Sequence, residues 1–234
     1  MNRKGLSVIA CLLFALSVVC AALGQAPAKD AKNPYPTMAP AAQYLMERNA
    51  EIALARSAAP ESISHDAKVL VLGAHGYETA AEGKNGFVCL VERSWMAPFD
   101  DPEFWNPKNR GPLCLNPQAA HLTLPMDYKR AEMALAGKSK DEIKQWTEAA
   151  YASKQLPGFE PGAMGYMLSK TAYLTDRGGH NVAHLMFYTP RIKGADWGAD
   201  LPNSPVLLIQ KGPPEPFNIF IVPVGQWSDG TPAS

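Results

Sequence analysis

Gly83-Lys84-Asn85-Gly86-Phe87-Val88-Cys89-Leu90-Val91-Glu92-Arg93 is the stretch around which the chain is organised. Asn85-Gly86 is a strong hairpin signal, because both residue types accept the positive φ of a type I′ turn. Phe87 to Glu92 then reads as an apolar strand carrying Cys89. Upstream, Ala67 to Leu72 reads as a strand, Gly73 to Gly76 as a turn, and Tyr77 to Ala81 as a second short strand. Together they predict a small antiparallel meander.

Residues 1–24 of the 234 read as a secretory signal peptide: Arg3 and Lys4, a run from Leu6 to Leu23 that is apolar apart from Ser7 and Ser17, and a small-residue site at Ala22-Leu23-Gly24. Cleavage is expected before Gln25, and the protein is then secreted or periplasmic. Two other readings are weaker. An uncleaved anchor would use a run at the lower limit for crossing a bilayer, and lipidation at Cys20 would follow the bulky Val19, a poor fit to a lipoprotein site. Removing Arg3 and Lys4 from the 22 basic residues leaves 20 against 22 acidic ones. That balance gives no basic patch for nucleic acid or an anionic membrane, so membrane contact is expected only through the signal peptide.

Cys11 and Cys20 leave with the signal, and Cys89 and Cys114 remain. In an oxidising compartment these two most simply form one disulfide. A metal site built from two cysteines alone would lack ligands.

Residues 25–38, rich in Ala, Pro, Lys, Asp and Asn, read as a flexible linker, and 39–234 as a single domain. Pro40 opens a predicted helix to about Ser57, with Ala41, Leu45, Ile52 and Ala55 on its docking face. Residues 95–117 hold five prolines and Trp95, Phe99, Phe104 and Trp105, the composition of a packed cover rather than of disorder. Helices are predicted from about Met126 to Ala136, stopping at Gly137, and from the capping box Ser139-Lys140-Asp141-Glu142 to just before Pro157. Strands return at Ala163 to Lys170, Val182 to Tyr188, Val206 to Gln210 and Phe217 to Val224. The fold class is therefore α+β: an antiparallel β-sheet covered by helices, with an N-terminal helix.

Several blocks together carry a family resemblance: Ala55 to Ser64, Asn85 to Trp105, Pro161 to Met164 with Tyr166-Met167, His184 to Phe187, and Val222 to Val224 with Trp227-Ser228-Asp229-Gly230-Thr231. The chain resembles a family of uncharacterised exported bacterial proteins with signal peptides. The resemblance implies an exported domain with a paired cysteine and brings no activity or functional residue with it. Relatives tend to carry His-Trp-His-Pro-His where this chain has His180-Asn181-Val182-Ala183-His184. The middle histidine is replaced by Val182, which puts any ligand role of that cluster in doubt.

The weak catalytic candidates are His75, His121, His180 and His184. His180 and His184 would stand about 13 Å apart along a strand, too far for one ion with bonds of ~2 Å. No metal and no cofactor are expected. His75 in a turn and His121 after the Cys114 strand could act as general bases only beside a carboxylate and a nucleophile. Asp100, Asp101 and Glu103 form an acidic cluster, but adjacent aspartates do not set the fixed separation that glycoside hydrolysis needs. Trp95, Trp105 and Trp197 could stack on a flat ligand, though burial is the commoner use. No serine-elbow, HExxH, CxxC, Walker or GxGxxG motif is present. The sequence thus favours a non-catalytic module that binds a small molecule or a protein partner. The alternative is a hydrolase-like extracytoplasmic enzyme with a His/carboxylate site.

Overall fold

Val69 to Leu72 is an unbroken apolar run, and all four residues are buried. Such a strand needs neighbours on both sides and cover on both faces. In the computed structural model, which describes residues 33–177, 181–209 and 214–233, this run is the core of β1 (Lys68–Gly73). It pairs antiparallel with β2 (Gly76–Ala81) and parallel with β3 (Val88–Glu92). β4 (Gly111–Leu115), β5 (Met164–Met167), β6 (His184–Pro190), β7 (Leu207–Ile209) and β8 (Phe217–Pro223) complete an eight-stranded sheet of order β2-β1-β3-β4-β5-β6-β8-β7. The α+β class stands, but the sheet is mixed rather than antiparallel.

The expected meander is corrected by the position of β1, between β2 and β3. β2 carries the chain back to the start of β1, so a short loop past that end suffices to begin β3 parallel to it. Asn85-Gly86 belongs to this loop and does not form a two-residue hairpin. Only Gly86 has positive φ (+79°), while the Asn85 side chain accepts from Phe87 N–H and donates to the Ile63 carbonyl. The passage is tight: a Cβ on Gly83 would lie 2.2 Å from the Lys68 backbone nitrogen.

β3 and β4 pair so that Cys89 and Cys114 face each other, Cα atoms 4.0 Å apart, and they form the disulfide. Alternation then sorts the two faces. Cys89, Val91 and Cys114 lie with Val69 against Ala55 and Ala58, under α1 (Arg48–Arg56). Leu90, Leu113 and Leu115 face Ala119 and Leu122 of α3 (Pro117–Leu135). The short α2 (Glu61–Ser64) precedes β1, and α4 (Lys140–Ala152) packs on α3 through Ile143 and Ala150.

Two expectations about helices meet physical corrections. The helix expected from Pro40 is split into a 3-10 turn at Ala41–Gln43 and α1. Between them Tyr44 is buried, with its hydroxyl donating to the Trp105 carbonyl and its own carbonyl taken by Arg93. The helix expected from Met126 starts nine residues earlier, because Asn116 caps it and Pro117 occupies its first turn. Pro125 is held inside, at an exposed position. The described part of the expected linker, 33–38, is anchored: Tyr35 donates to Asp176, and Tyr35 and Met38 pack on the core. The capping box, the Gly137 cap (φ +75°) and the aromatic cover, with Trp95, Phe104 and Trp105 buried, agree with expectation. The expected signal peptide, residues 1–24, lies outside the described residues. Among the described residues no helix is long and apolar enough to cross a membrane.

The disulfide closes a loop between residues 25 apart in sequence. Replacing both cysteines by alanine should lower stability by about 3 kcal/mol, read from urea unfolding of oxidised protein; an unchanged midpoint would show that strand pairing alone holds this ladder. Gly83→Ala should cost about 2 kcal/mol or more, since a backbone atom has to move.

Candidate functional site

The helices pack chiefly on β1 to β4, with α3 also reaching β5. On the α3 side of the remaining strands the register brings Met186 of β6, Ile221 of β8 and Leu207 of β7 into one row. Tyr188, Ile219 and Ile209 form the next row, and Met167 with His184 the row on the other side. The inner ends of these rows join the core, while Leu207 and Ile209 are about half exposed. Here a cleft of about 500 Å³ remains open, walled on the far side by the segment Glu92 to Ala97 and by Asn109, Leu174 and Thr175. Its size and largely apolar lining are those of a small-molecule site.

Its polar groups are few, and their bonding defines them. Arg93 lines the cleft, but all three nitrogens of its guanidinium already donate, to the carbonyls of Tyr44 and Val91 and to Glu51. Asn109 donates to the Leu174 carbonyl, and Thr175 to Glu103. His184 sits 2.6 Å through Nδ1 from the Val182 carbonyl. A carbonyl only accepts, so Nδ1 carries the proton and Nε2 of the neutral ring is an acceptor. Burial pushes the His184 pKa down, with that carbonyl contact opposing it, so neutrality is favoured. The Asn181 amide nitrogen donates to the Ser169 carbonyl at 2.8 Å, which fixes the amide orientation, and its Oδ1 is buried with no partner among the described residues. Ser94 Oγ is likewise buried without a partner among the described residues. Glu92 completes the polar lining.

The other sequence candidates are scattered. His75 is exposed in the β1–β2 turn, beside a depression of about 700 Å³ walled by the exposed flank of α3, where Glu132 is engaged by Lys129. His121 reaches Glu160 at 2.7 Å, with both groups in solvent. His180 lies outside the described residues, so its relation to His184 does too. Among the described residues, no group of three or more His, Cys, Asp and Glu side chains could hold a metal ion. The acidic cluster is architectural. Burial opposes ionisation of Glu103, but hydrogen bonds from Thr175, the Asp176 N–H and Asn106, with Arg177 nearby, hold its pKa below the usual range. Asp101 accepts from Arg177. Trp95 and Trp105 are core residues, and Trp197 is exposed beside Phe220.

Ser94, Asn181 and the apolar rows were not singled out as site residues by their sequence. The one available signal was alternation, since Met186 and Tyr188, like Ile219 and Ile221, are spaced by two. Compared with protein-family models, with curated proteins and with solved structures, the chain matches none.

His184 gives a pH test. Its folded pKa lies below the ordinary 6.5, so the unfolded chain binds more protons in the interval between the two values. Stability should therefore rise with pH through that interval and level off above about 6.5. His184→Gln should flatten this part of the profile in urea unfolding measured across pH 4.5–7.5, and an identical slope would remove His184 as its source.

Proposed function

We propose that the protein is an exported, non-catalytic binding module that takes a small, largely apolar molecule into the cleft between β5–β8 and the segment after β3. The observation that carries this reading is the composition of the cleft: rows of Met, Ile and Leu side chains whose outer members, Leu207 and Ile209, are exposed, beside a handful of polar groups. Removing an apolar ligand's surface from water there is worth about 25 cal/mol per Å² before the costs of association are deducted. The hydrolase-like alternative has no observation in its favour among the described residues. The two histidines that touch carboxylates, His65 and His121, do so at exposed surface, and His184 is turned to a backbone carbonyl. Export is supported by the leader-like first 24 residues and by the Cys89–Cys114 disulfide, a bond that persists in oxidising compartments.

The test uses N-phenyl-1-naphthylamine, a neutral apolar fluorophore. Saturable one-to-one enhancement of its emission is expected, with Kd in the range of about 1–10 μM, typical of modest apolar burial. Leu207→Arg places a charge at an exposed position of the cleft wall. It should weaken binding at least ~10-fold while leaving the melting temperature unchanged. Absence of saturable binding, or binding indifferent to Leu207→Arg, would defeat this assignment. For export, the mature protein from its host is expected to begin near Gln25 by intact mass, and retention of Met1 would contradict it.

A further inference from the structure

Among the described residues eight large hydrophobic side chains are exposed, and five of them lie on β6, on β7 or between the two: Phe187, Trp197, Leu201, Leu207 and Ile209. Register and hydrogen bonds gather them at one end of the sheet. Phe187 pairs with Phe220, Phe220 pairs with Leu208, and the Trp197 ring stands 5.9 Å from that of Phe220. Leu207 and Ile209 flank Leu208 and so point to the other face. The Asp200 N–H donates to the Val206 carbonyl, which brings Leu201 to the head of β7. The last strand of the sheet is thus apolar on both faces and at its tip, with Trp197 left 64% exposed. Apolar surface gathered in this way marks a contact site.

We propose that this end of the sheet docks on a neutral phospholipid surface, with Trp197 and Leu201 entering the boundary between headgroups and acyl chains. Three observations choose that occupant. The first is the state of the edge. Leu208 N–H is spent on Asp200 Oδ1 at 3.2 Å, Val206 N–H on Ser204 Oγ at 3.1 Å, and the Val206 carbonyl on Asp200. A strand from a peptide or a second copy would find this stretch of backbone already taken. The second is extent: five side chains fall far short of the about 20–30 residues a side in a standard protein interface. The third is charge. Across residues 191–209, Arg191 and Lys193 balance Asp196 and Asp200, and all four are exposed. Nothing in that balance seeks an anionic surface, whereas Trp and Leu enter a neutral bilayer boundary without any basic patch. The expectation of membrane contact only through the signal peptide considered charge alone. Trp197 and Leu201 are not part of the cleft lining, but Leu207 and Ile209 are. Docking therefore brings the outer wall of the cleft to the phase in which an apolar ligand concentrates, a consequence that rests on the cleft as the binding site.

Flotation with phosphatidylcholine vesicles tests it, using mature protein that begins at Gln25 so that the signal peptide does not contribute. Half of the protein is expected to float at about 0.1–1 mM lipid, a single myristoyl chain reaching half-binding near the lower figure. Replacing a third of the lipid by phosphatidylglycerol should change this by less than ~2-fold. Trp197→Ser and Leu201→Ser should each weaken flotation at least ~5-fold, with the melting temperature and N-phenyl-1-naphthylamine binding retained. Trp197→Phe keeps the apolar contact and should float within ~2-fold of the parent. Sedimentation velocity without lipid should show a monomer. Absence of flotation with neutral vesicles, flotation that needs the anionic lipid, or flotation indifferent to both serine variants overturns the proposal. So does a dimer that Trp197→Ser dissociates. Each of these leaves fluorophore binding to the cleft standing, and a failure of fluorophore binding leaves flotation to be read on its own.

Discussion

The pairing of Arg93 with Glu51 is the constraint on which the rest of the structure depends. Both side chains are essentially removed from solvent, and the guanidinium lies 2.8 Å from the carboxylate. Glu51 Oε1 also accepts from the Leu72 N–H, and Arg93 reaches the carbonyls of Tyr44 and Val91. One buried ion pair thus joins α1, the end of β1, the end of β3 and the N-terminal segment. Desolvating two charges brings little net stability, but removing either partner strands the other and costs about 3–5 kcal/mol. The pair therefore ties α1 to the ends of β1 and β3 while adding little net stability. A second buried pair, Arg130 with Glu215, ties α3 to the chain entering β8, and Phe99 lies 4.3 Å from the Arg130 guanidinium carbon.

How far this could be read from the sequence depends on the range of the interaction concerned. The capping box at Ser139, the Gly137 stop and the facing cysteines rest on local geometry or on a count of two, and they were legible. The place of β1 was not. Short connections argue against parallel pairing only when they join the paired strands directly, and here β2 is itself the return path. The warning was present in composition: the apolar run Val69-Leu70-Val71-Leu72 needs two neighbours, whereas Glu78 and Thr79 mark β2 as an edge. The break at Tyr44 was hidden because its carbonyl is claimed by Arg93, a residue 49 positions away.

The cleft was harder still, since its lining comes from six strands and two loops. Histidines attracted attention because their chemistry is rich, yet the described ones are at exposed surface or, for His184, bound to a backbone carbonyl. Ser94 and Asn181 have side chains that elsewhere end in water or in local turns. Their significance is the lack of a partner among the described residues, a property of three-dimensional packing that no spacing encodes.

The rigid pair and the cleft meet at one peptide. Arg93 and Ser94 are consecutive at the start of the 3-10 turn Ser94–Met96. The Arg93 side chain is locked toward α1, which fixes the backbone from which Ser94 projects. The Arg130 guanidinium adds a contact to the Trp95 carbonyl one residue later. On the opposite side, β7 is an edge strand held by three register pairs to β8. The cleft is therefore built asymmetrically, with its polar wall anchored by desolvated charges and its apolar wall on the lightly held edge of the sheet. A polar group must be placed in advance if its hydrogen bond is not to be offset by the entropy of ordering it. Apolar contact is non-directional and tolerates a yielding surface. The two walls thus differ in how they are held: Ser94 beside a buried ion pair, Leu207 and Ile209 by three register pairs to β8.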